Sequence, residues 1–113
     1  MNLQDLSPSA LRKRRRELAR DLPPAEYILR GTLIETYRRC GRPNCHCANG
    51  PGHGPKHYLS TSQPGRRPRR DYVPNGADLQ VAQLIADGRK LRSLLDDICA
   101  INAELLRRRE ELG

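Results

Sequence analysis

The sequence contains no Phe and no Trp, and its only aromatic residues are four Tyr. Only 36% of the 113 residues are hydrophobic, which leaves a single chain little apolar material for a core. Small polar chains of this kind often need a bound metal, a disulfide or a partner chain to hold one fold. The length favours one domain, and the composition indicates that this domain depends on such support.

Long apolar runs are also missing. No segment approaches the roughly 20 consecutive apolar residues of a membrane span, so we expect no membrane association. The N-terminal region has a basic run at residues 12–16 where a signal peptide would have an apolar core. We therefore expect a cytoplasmic protein. Cysteines stay reduced in that compartment, so clustered cysteines indicate metal or redox chemistry before disulfides.

Acidic residues are in the minority. The chain has 13 Asp and Glu against 21 Lys and Arg, a formal net charge of +8. A small protein with this excess is attracted to polyanions, and nucleic acid is the commonest polyanion in a cell. The same charge is also compatible with solubility alone, so a nucleic-acid hypothesis needs support from the pattern of the charges.

Residues 7–22 are predicted to form a short helix. Ser7 is the expected cap, Pro8 suits the first turn, and Pro23-Pro24 follows the end. The apolar stripe of this helix is narrow and consists of Leu11, Leu18 and Leu22. The candidate phosphate-binding residues around that stripe are Arg12, Lys13, Arg14, Arg15 and Arg16. A merely solvated basic face is an equally good interpretation.

Alternating apolar and polar residues predict three strands, at residues 27–38, 57–62 and 68–73. The last two are joined by a turn at Pro64-Gly65. Tyr58 and Tyr72 are expected in one layer, with at least one of them buried. The turn and the third strand carry four more candidate phosphate-binding residues: Arg66, Arg67, Arg69 and Arg70.

Residues 76–112 are predicted to form one long helix capped by Asn75. A seam with a 3.5-residue period predicts a coiled-coil-like surface for self-association, with Asn102 fixing the register. The dimerisation residues of this seam are Leu84, Leu91, Leu95, Ile98, Asn102 and Leu105. The alternative is a helical hairpin with residues 7–22 inside one chain. Cys99, which has no companion in sequence, is expected to be a small core residue.

Three cysteines lie close together in Cys40-Gly-Arg-Pro-Asn-Cys45-His-Cys47, within a segment rich in Gly and Pro. Such a segment holds neither a helix nor a strand for long, so something else must fix it. A structural zinc site needs four sulfur or nitrogen donors at tetrahedral corners. The spacing predicts one zinc ion per chain, with His53 as the fourth ligand and His57 as the alternative.

Catalysis by this zinc is not expected. A catalytic zinc keeps one open position beside an acid or a base, and residues 40–57 contain no Asp or Glu. The zinc deaminase signature also needs a His-x-Glu sequence, which is missing here. We therefore expect a protein that is not an enzyme.

Three segments carry a family resemblance: Arg30 to Cys47, His53-Gly54-Pro55, and Asp71-Tyr72-Val73-Pro74. They resemble a family of small bacterial and archaeal proteins with a zinc-ribbon-like loop, known as a domain of unknown function (DUF6788). The similarity covers roughly residues 29–105. It implies that the three clustered cysteines and His53 are the metal ligands, because family members often carry an aromatic residue in place of His57. It also implies an association with mobile elements.

Together these features predict an α+β fold with three segments. Residues 1–26 form a basic helical arm, residues 27–74 a small antiparallel sheet with a zinc-bound loop, and residues 75–113 a long helix for dimerisation or partner binding. The predicted function is non-enzymatic binding of nucleic acid, DNA in the first instance, mainly through phosphate contacts. The alternative is a protein–protein adaptor that uses the long helix, with a recombinase or a transposase as a candidate partner.

Overall fold

A computed structural model describes residues 2–39, 41, 42, 44, 50 and 52–113. In chain order the helices and strands are a 3-10 turn at Leu3–Asp5, α1 at Pro8–Arg20, a second 3-10 turn at Ala25–Tyr27, β1 at Thr32–Arg38, β2 at His53–Gln63, β3 at Arg66–Val73 and α2 at Asp78–Arg107. This confirms the α+β class with a short N-terminal helix, a three-stranded antiparallel sheet and a long C-terminal helix.

The chain divides into two compact units. Met1–Ile28 and Asp87–Gly113 form the first, called here the helical unit. Leu29–Ala86 form the second, called here the sheet unit, which includes the first turns of α2.

Helix α1 begins as the sequence predicts. The Ser7 side chain accepts a hydrogen bond from the Ala10 amide at 3.2 Å, and Pro8 occupies the first turn. The cap satisfies one amide that the helix itself leaves without a partner, and Pro8 has no amide hydrogen to satisfy. The helix ends at Arg20, two residues earlier than predicted.

The helical unit has a core built from α1 and the second half of α2. Leu11 and Leu18 pack with Ile101 and Leu105, and all four are buried. In each helix the spacing of four or seven residues places the side chains on one face. Each such side chain contributes about 1.5–3 kcal/mol when it is fully removed from water. This packing within one chain matches the helical hairpin that was the alternative to self-association of the long helix.

The sheet unit has strand order β1-β2-β3. Leu59 of β2 is paired with Leu33 of β1, and it packs with Val73 of β3 and Ile85 of α2. Successive residues of a strand point to opposite faces, so this core occupies one face of the sheet only. We call it the helix-side face. The other face, called here the open face, carries Ile34, Tyr58 and Tyr72 as its apolar residues.

Two predicted element boundaries are wrong because a glycine interrupts the backbone. Strand β1 begins at Thr32 and not at residue 27, since Gly31 has a φ of +131°, outside the strand region. Helix α2 begins at Asp78, after a turn in which the Ala77 amide donates to the Pro74 carbonyl at 3.0 Å. Gly76 lies in that turn with a φ of +94°, so Asn75 does not cap the helix.

The C-terminal end of α2 is capped by backbone hydrogen bonds from the residues that follow it. Arg109 has a φ of +56° and donates its amide to the Leu106 carbonyl, while the Glu110 amide donates to the Leu105 carbonyl. These two bonds form a Schellman motif, which satisfies carbonyls that the helix leaves without partners. The helix therefore ends at Arg107, before the predicted residue 112.

Cys99 was predicted to be a core residue, and this was wrong: it lies exposed on α2.

Glu104 is the one buried charged residue among the described part of the chain. Its carboxylate accepts hydrogen bonds from Arg107 at 2.7 Å and Arg108 at 3.0 Å. Arg108 also donates to the carbonyls of Leu6 at 2.6 Å and Leu3 at 2.9 Å. The hydrogen bonds from Arg107 and Arg108 hold the pKa of Glu104 below its ordinary value of 4.5, against the opposing effect of burial.

We expect Glu104→Gln to lower the melting temperature at pH 7. A carboxylate whose pKa is lowered by folding stabilises the protein above its ordinary pKa, and this stabilisation is lost as the pH falls through the lowered value. The difference in melting temperature between the variant and the wild type should therefore shrink below about pH 4.5. Circular dichroism melts between pH 2 and pH 8 measure it. Glu26→Gln, at an exposed position, should show no such pH dependence.

Candidate functional site

Positive charge is concentrated in the sheet unit. Leu29–Ala86 contains nine Lys and Arg against three Asp and Glu, which gives a net charge of +6 out of the total of +8. The helical unit has twelve basic and ten acidic residues, a net charge of +2. A polyanion is therefore attracted mainly to the sheet unit.

The hairpin of β2 and β3 carries four of these charges. Arg66, Arg67, Arg69 and Arg70 are all exposed, on a strand at the edge of the sheet. Arg69 forms an ion pair with Asp71, with Nε and Oδ1 3.1 Å apart. Among the described residues the other three arginines have no acidic partner. They are free to contact an external anion.

The basic residues of α1 divide into two groups. Arg12 donates to the Glu111 carbonyl at 3.1 and 2.7 Å, and Arg15 donates to Asn102 Oδ1 at 2.7 Å and to the Leu112 carbonyl. These two arginines hold the segment that follows α2. The remaining residues of the predicted set are Lys13, Arg14 and Arg16; Lys13 and Arg16 are exposed, and Arg14 lies 3.6 Å from Glu17. The sequence predicts that Arg12 and Arg15 are cationic and close to each other on α1. It does not reveal their hydrogen-bond partners, which lie about 90 residues further along the chain or more.

The predicted zinc loop connects β1 to β2. Cys40, Cys45 and Cys47 lie outside the residues that the structure describes. The two ends of the loop are neighbours in the sheet, since Arg38 at the end of β1 is paired with His53 at the start of β2. A side chain at Gly52 would lie 2.7 Å from the Arg38 carbonyl carbon, so only glycine permits this approach of the two ends.

The two candidate histidines occupy different positions on β2. His53 is exposed at the loop end of the strand. His57 lies four residues further on, about 13 Å along the strand. It is paired with Glu35 and Val73 inside the sheet. Within the described residues, no group of three or more His, Cys, Asp and Glu side chains is placed to hold a metal ion.

His57 belongs to a small polar cluster on the helix-side face. Its Nε2 lies 3.9 Å from Glu35 Oε2, and Tyr37 donates its hydroxyl to Glu35 Oε1 at 2.5 Å. The hydrogen bond to Glu35 raises the pKa of Tyr37, since ionised tyrosine would lose it. His57 Nδ1 is buried without a hydrogen-bond partner among the described atoms. Glu35 lies on the same face of β1 as Leu33 and has His57 as a polar neighbour across the strands.

A basic cavity lies beside the loop. Its lining includes Arg38, Arg39, His53 and Lys56. Arg39 also donates to the Gly50 carbonyl at 3.2 Å. Cationic groups that converge on one cavity attract an anion more strongly than isolated surface charges do.

The predicted dimerisation residues have unequal exposure. Leu105 is fully buried and Ile98 packs on the same core, while Asn102 accepts the hydrogen bond from Arg15. Leu84 and Leu91 are half-buried, and Leu95 is 43% exposed. Of this set, Leu95 has the most surface available for a second chain.

The described part of the chain is thus a small α+β protein with a three-stranded antiparallel sheet, and its sheet unit carries most of the net charge. The family model described as Domain of unknown function (DUF6788) matches residues 8–83, more than half of the chain. The protein belongs to this family. The match begins earlier and ends earlier than the expected range of 29–105. No curated protein and no solved structure matches the chain. Among the described helices, none is both long and apolar enough to cross a membrane.

Proposed function

We propose that this protein is a zinc-containing, non-enzymatic accessory protein that binds nucleic acid. The observation that carries the proposal is the net charge of +6 on the sheet unit, with Arg66, Arg67 and Arg70 exposed on an edge strand. Exposed arginines without acidic partners form the charge-assisted hydrogen bonds that phosphate oxygens accept. Such contacts fix the position of a protein on nucleic acid without reading its sequence.

The zinc ion has a structural role in this proposal. Cys40, Cys45 and Cys47, with His53, form a donor set of three sulfurs and one nitrogen that suits tetrahedral zinc. The pairing of Arg38 with His53 supports this set, because it brings the last predicted ligand next to the strand that leads into Cys40. His57 is less suitable, since it lies further along β2 and faces Glu35. The zinc would fix a loop beside the basic cavity.

A salt titration tests the proposal. The protein, purified without added metal, is assayed for zinc per chain and titrated by fluorescence anisotropy into a labelled DNA duplex at 50 and 200 mM salt. Contacts with 6–10 phosphates would reduce the affinity by about 10³–10⁵ over this range. One zinc per chain with a steep salt dependence agrees with the proposal. The absence of any binding at 50 mM salt would contradict it and would favour the adaptor function.

Self-association through α2 is a second proposal. Leu95, Cys99 and Leu106 are all exposed, at spacings that place them on one face of the helix. An apolar face of this kind fits a second copy or the helix of another protein.

We expect Leu95→Glu to convert a dimer to a monomer. A dimer would bury the 43% of each Leu95 that is still exposed, worth about 0.6–1.3 kcal/mol per copy, so the variant should weaken dimerisation at least about tenfold. Light scattering after size exclusion measures the mass. Leu79→Glu is the matched control, because Leu79 is 80% exposed on α2 but lies on the opposite face from Leu95. A monomeric wild type would contradict the proposed dimer.

A further inference from the structure

The open face of the sheet has an aromatic centre. Tyr58 of β2 and Tyr72 of β3 are directly paired, with ring centroids 5.7 Å apart and an angle of 68° between the rings. Tyr72 is 54% exposed and Tyr58 is half-buried. The expectation that at least one of them is buried was therefore wrong. Neither hydrophobic core of the described residues includes these two rings.

Positive charges lie on both sides of the two rings. Arg70 precedes Tyr72 by two residues and Lys56 precedes Tyr58 by two, so each lies on the open face, about 7 Å from its tyrosine along the strand. Both are exposed, and Lys56 also lines the basic cavity with Arg38 and Arg39. The open face thus presents a cation, two aromatic rings and further cations in one line.

Negative charges are on the other face. The carboxylates of the strands are Glu35 and Asp71, and the register assigns both to the helix-side face with Leu33 and Leu59. Among the described strand residues, the open face carries no acidic side chain. Polar positions there are Thr32, Thr36 and Ser60, which are uncharged. A polyanion can approach this face without repulsion, whereas a basic partner cannot.

We propose that the open face binds single-stranded nucleic acid by stacking bases on Tyr72 and Tyr58. This inference rests on the proposed function and specifies the form of nucleic acid that the sheet unit takes. Base faces are accessible in a single strand but are stacked inside a duplex, which therefore offers tyrosine rings no partner. Arg70 and Lys56 contact the phosphates next to the stacked bases. Duplex contacts, which need only charge, can still be made by the hairpin arginines.

Three oligonucleotide probes separate stacking from charge. They are a labelled single strand of twelve thymidines, an abasic strand of the same length and charge, and a twelve-base-pair duplex, each titrated by fluorescence anisotropy at 50 mM salt. The wild type should bind the thymidine strand about tenfold more tightly than the abasic strand. This ratio corresponds to about 1.4 kcal/mol and lies within the range of one base stacked on an aromatic side chain.

Substitutions at Tyr72 test the assignment. Tyr72→Ala should remove most of the preference for thymidine over the abasic strand, because Tyr72 is the more exposed of the two rings, without changing the affinity for the abasic strand. Tyr72→Phe retains an aromatic ring and should keep the preference, which separates stacking from loss of the fold. Tyr27→Ala is the matched control, because Tyr27 is 60% exposed on a 3-10 turn outside the sheet unit. It should leave both affinities unchanged.

Three results would overturn the inference while leaving the proposed nucleic-acid binding untouched or separately testable, and a fourth would refute both. Equal affinity of the wild type for the thymidine and abasic strands would remove stacking but would leave phosphate binding intact. A thymidine preference that is undiminished in Tyr72→Ala would place the stacking elsewhere. A change of mass from dimer to monomer in Tyr72→Ala, measured by light scattering, would make the open face an interface between two copies. No binding of any probe at 50 mM salt would refute both proposals.

Discussion

Replacing Cys45 with serine is expected to release the zinc ion and to remove the cooperative unfolding transition of the sheet unit. Structural zinc in small proteins contributes about 10–16 kcal/mol of apparent binding free energy. A small core supplies only about 3–5 kcal/mol, and the buried core residues in the described part of the sheet unit are Leu59, Val73 and Ile85. We therefore expect this core to be too small to hold the strands together once the proposed metal is lost.

The measurements are zinc per chain by mass spectrometry and thermal melts followed by tyrosine circular dichroism. The tyrosine signal is informative because the chain has no Trp and three of its four Tyr lie in the sheet unit. Cys99→Ser is the matched control, since Cys99 is an exposed thiol on α2. It should retain both zinc and stability. A Cys45→Ser variant that keeps its zinc and its melting temperature would show that the metal hypothesis is wrong.

The same assay decides between the two candidate histidines. His53→Ala should lose zinc, because His53 lies at the loop end of β2 beside Arg38. His57→Phe should retain zinc, because His57 faces Glu35 within the sheet. The opposite pair of results would assign the fourth ligand to His57.

Neutralising the hairpin should weaken duplex binding and flatten its salt dependence. The triple variant Arg66→Gln, Arg67→Gln and Arg70→Gln removes three exposed cations that have no acidic partner among the described residues. If each of these exposed, salt-screened contacts is worth about 0.5–1.5 kcal/mol, as an ordinary net hydrogen bond is, loss of three lowers the affinity about 10- to 2,000-fold. The slope of log K against log salt should become less negative by about 3, since each phosphate contact contributes about 0.9.

A matched triple variant distinguishes a local site from a general effect of charge. Arg89, Lys90 and Arg92 are exposed on α2 in the helical unit. Replacing all three with Gln removes the same charge and should change the affinity and the slope little. Equal losses in the two triple variants would mean that net charge, and not the hairpin, attracts the nucleic acid. Anisotropy titrations at four salt concentrations give both quantities.

The parts of the fold that depend on neighbouring residues were predictable from the sequence. Ser7 and Pro8 define the start of α1 through their own chemistry, and Pro64-Gly65 defines the hairpin turn. The predicted start of β1 was wrong, because the alternating pattern continues through Gly31 although the backbone there leaves the strand region. A side-chain pattern carries no information about such a backbone angle.

The features that depend on distant residues were not predictable. Arg15 has the same local pattern as Lys13, yet it donates to Asn102, which is 87 residues away in sequence. The exposure of Tyr72 follows from β3 being an edge strand with α2 packed on the other face of the sheet. Sequence alone identified the arginines and tyrosines of the candidate site but not which of them remain available to a ligand.

The core of the helical unit determines how short a fragment of this protein can be made. The family model ends at residue 83, and a fragment cut there would lose Ile101 and Leu105 while it keeps Leu11 and Leu18. Two leucines that are buried in the whole chain would then face water on a short basic helix, which favours aggregation. The segment matched by the family model is thus shorter than the segment needed for a complete core. Any sample prepared for measurement should therefore include residues 84–113.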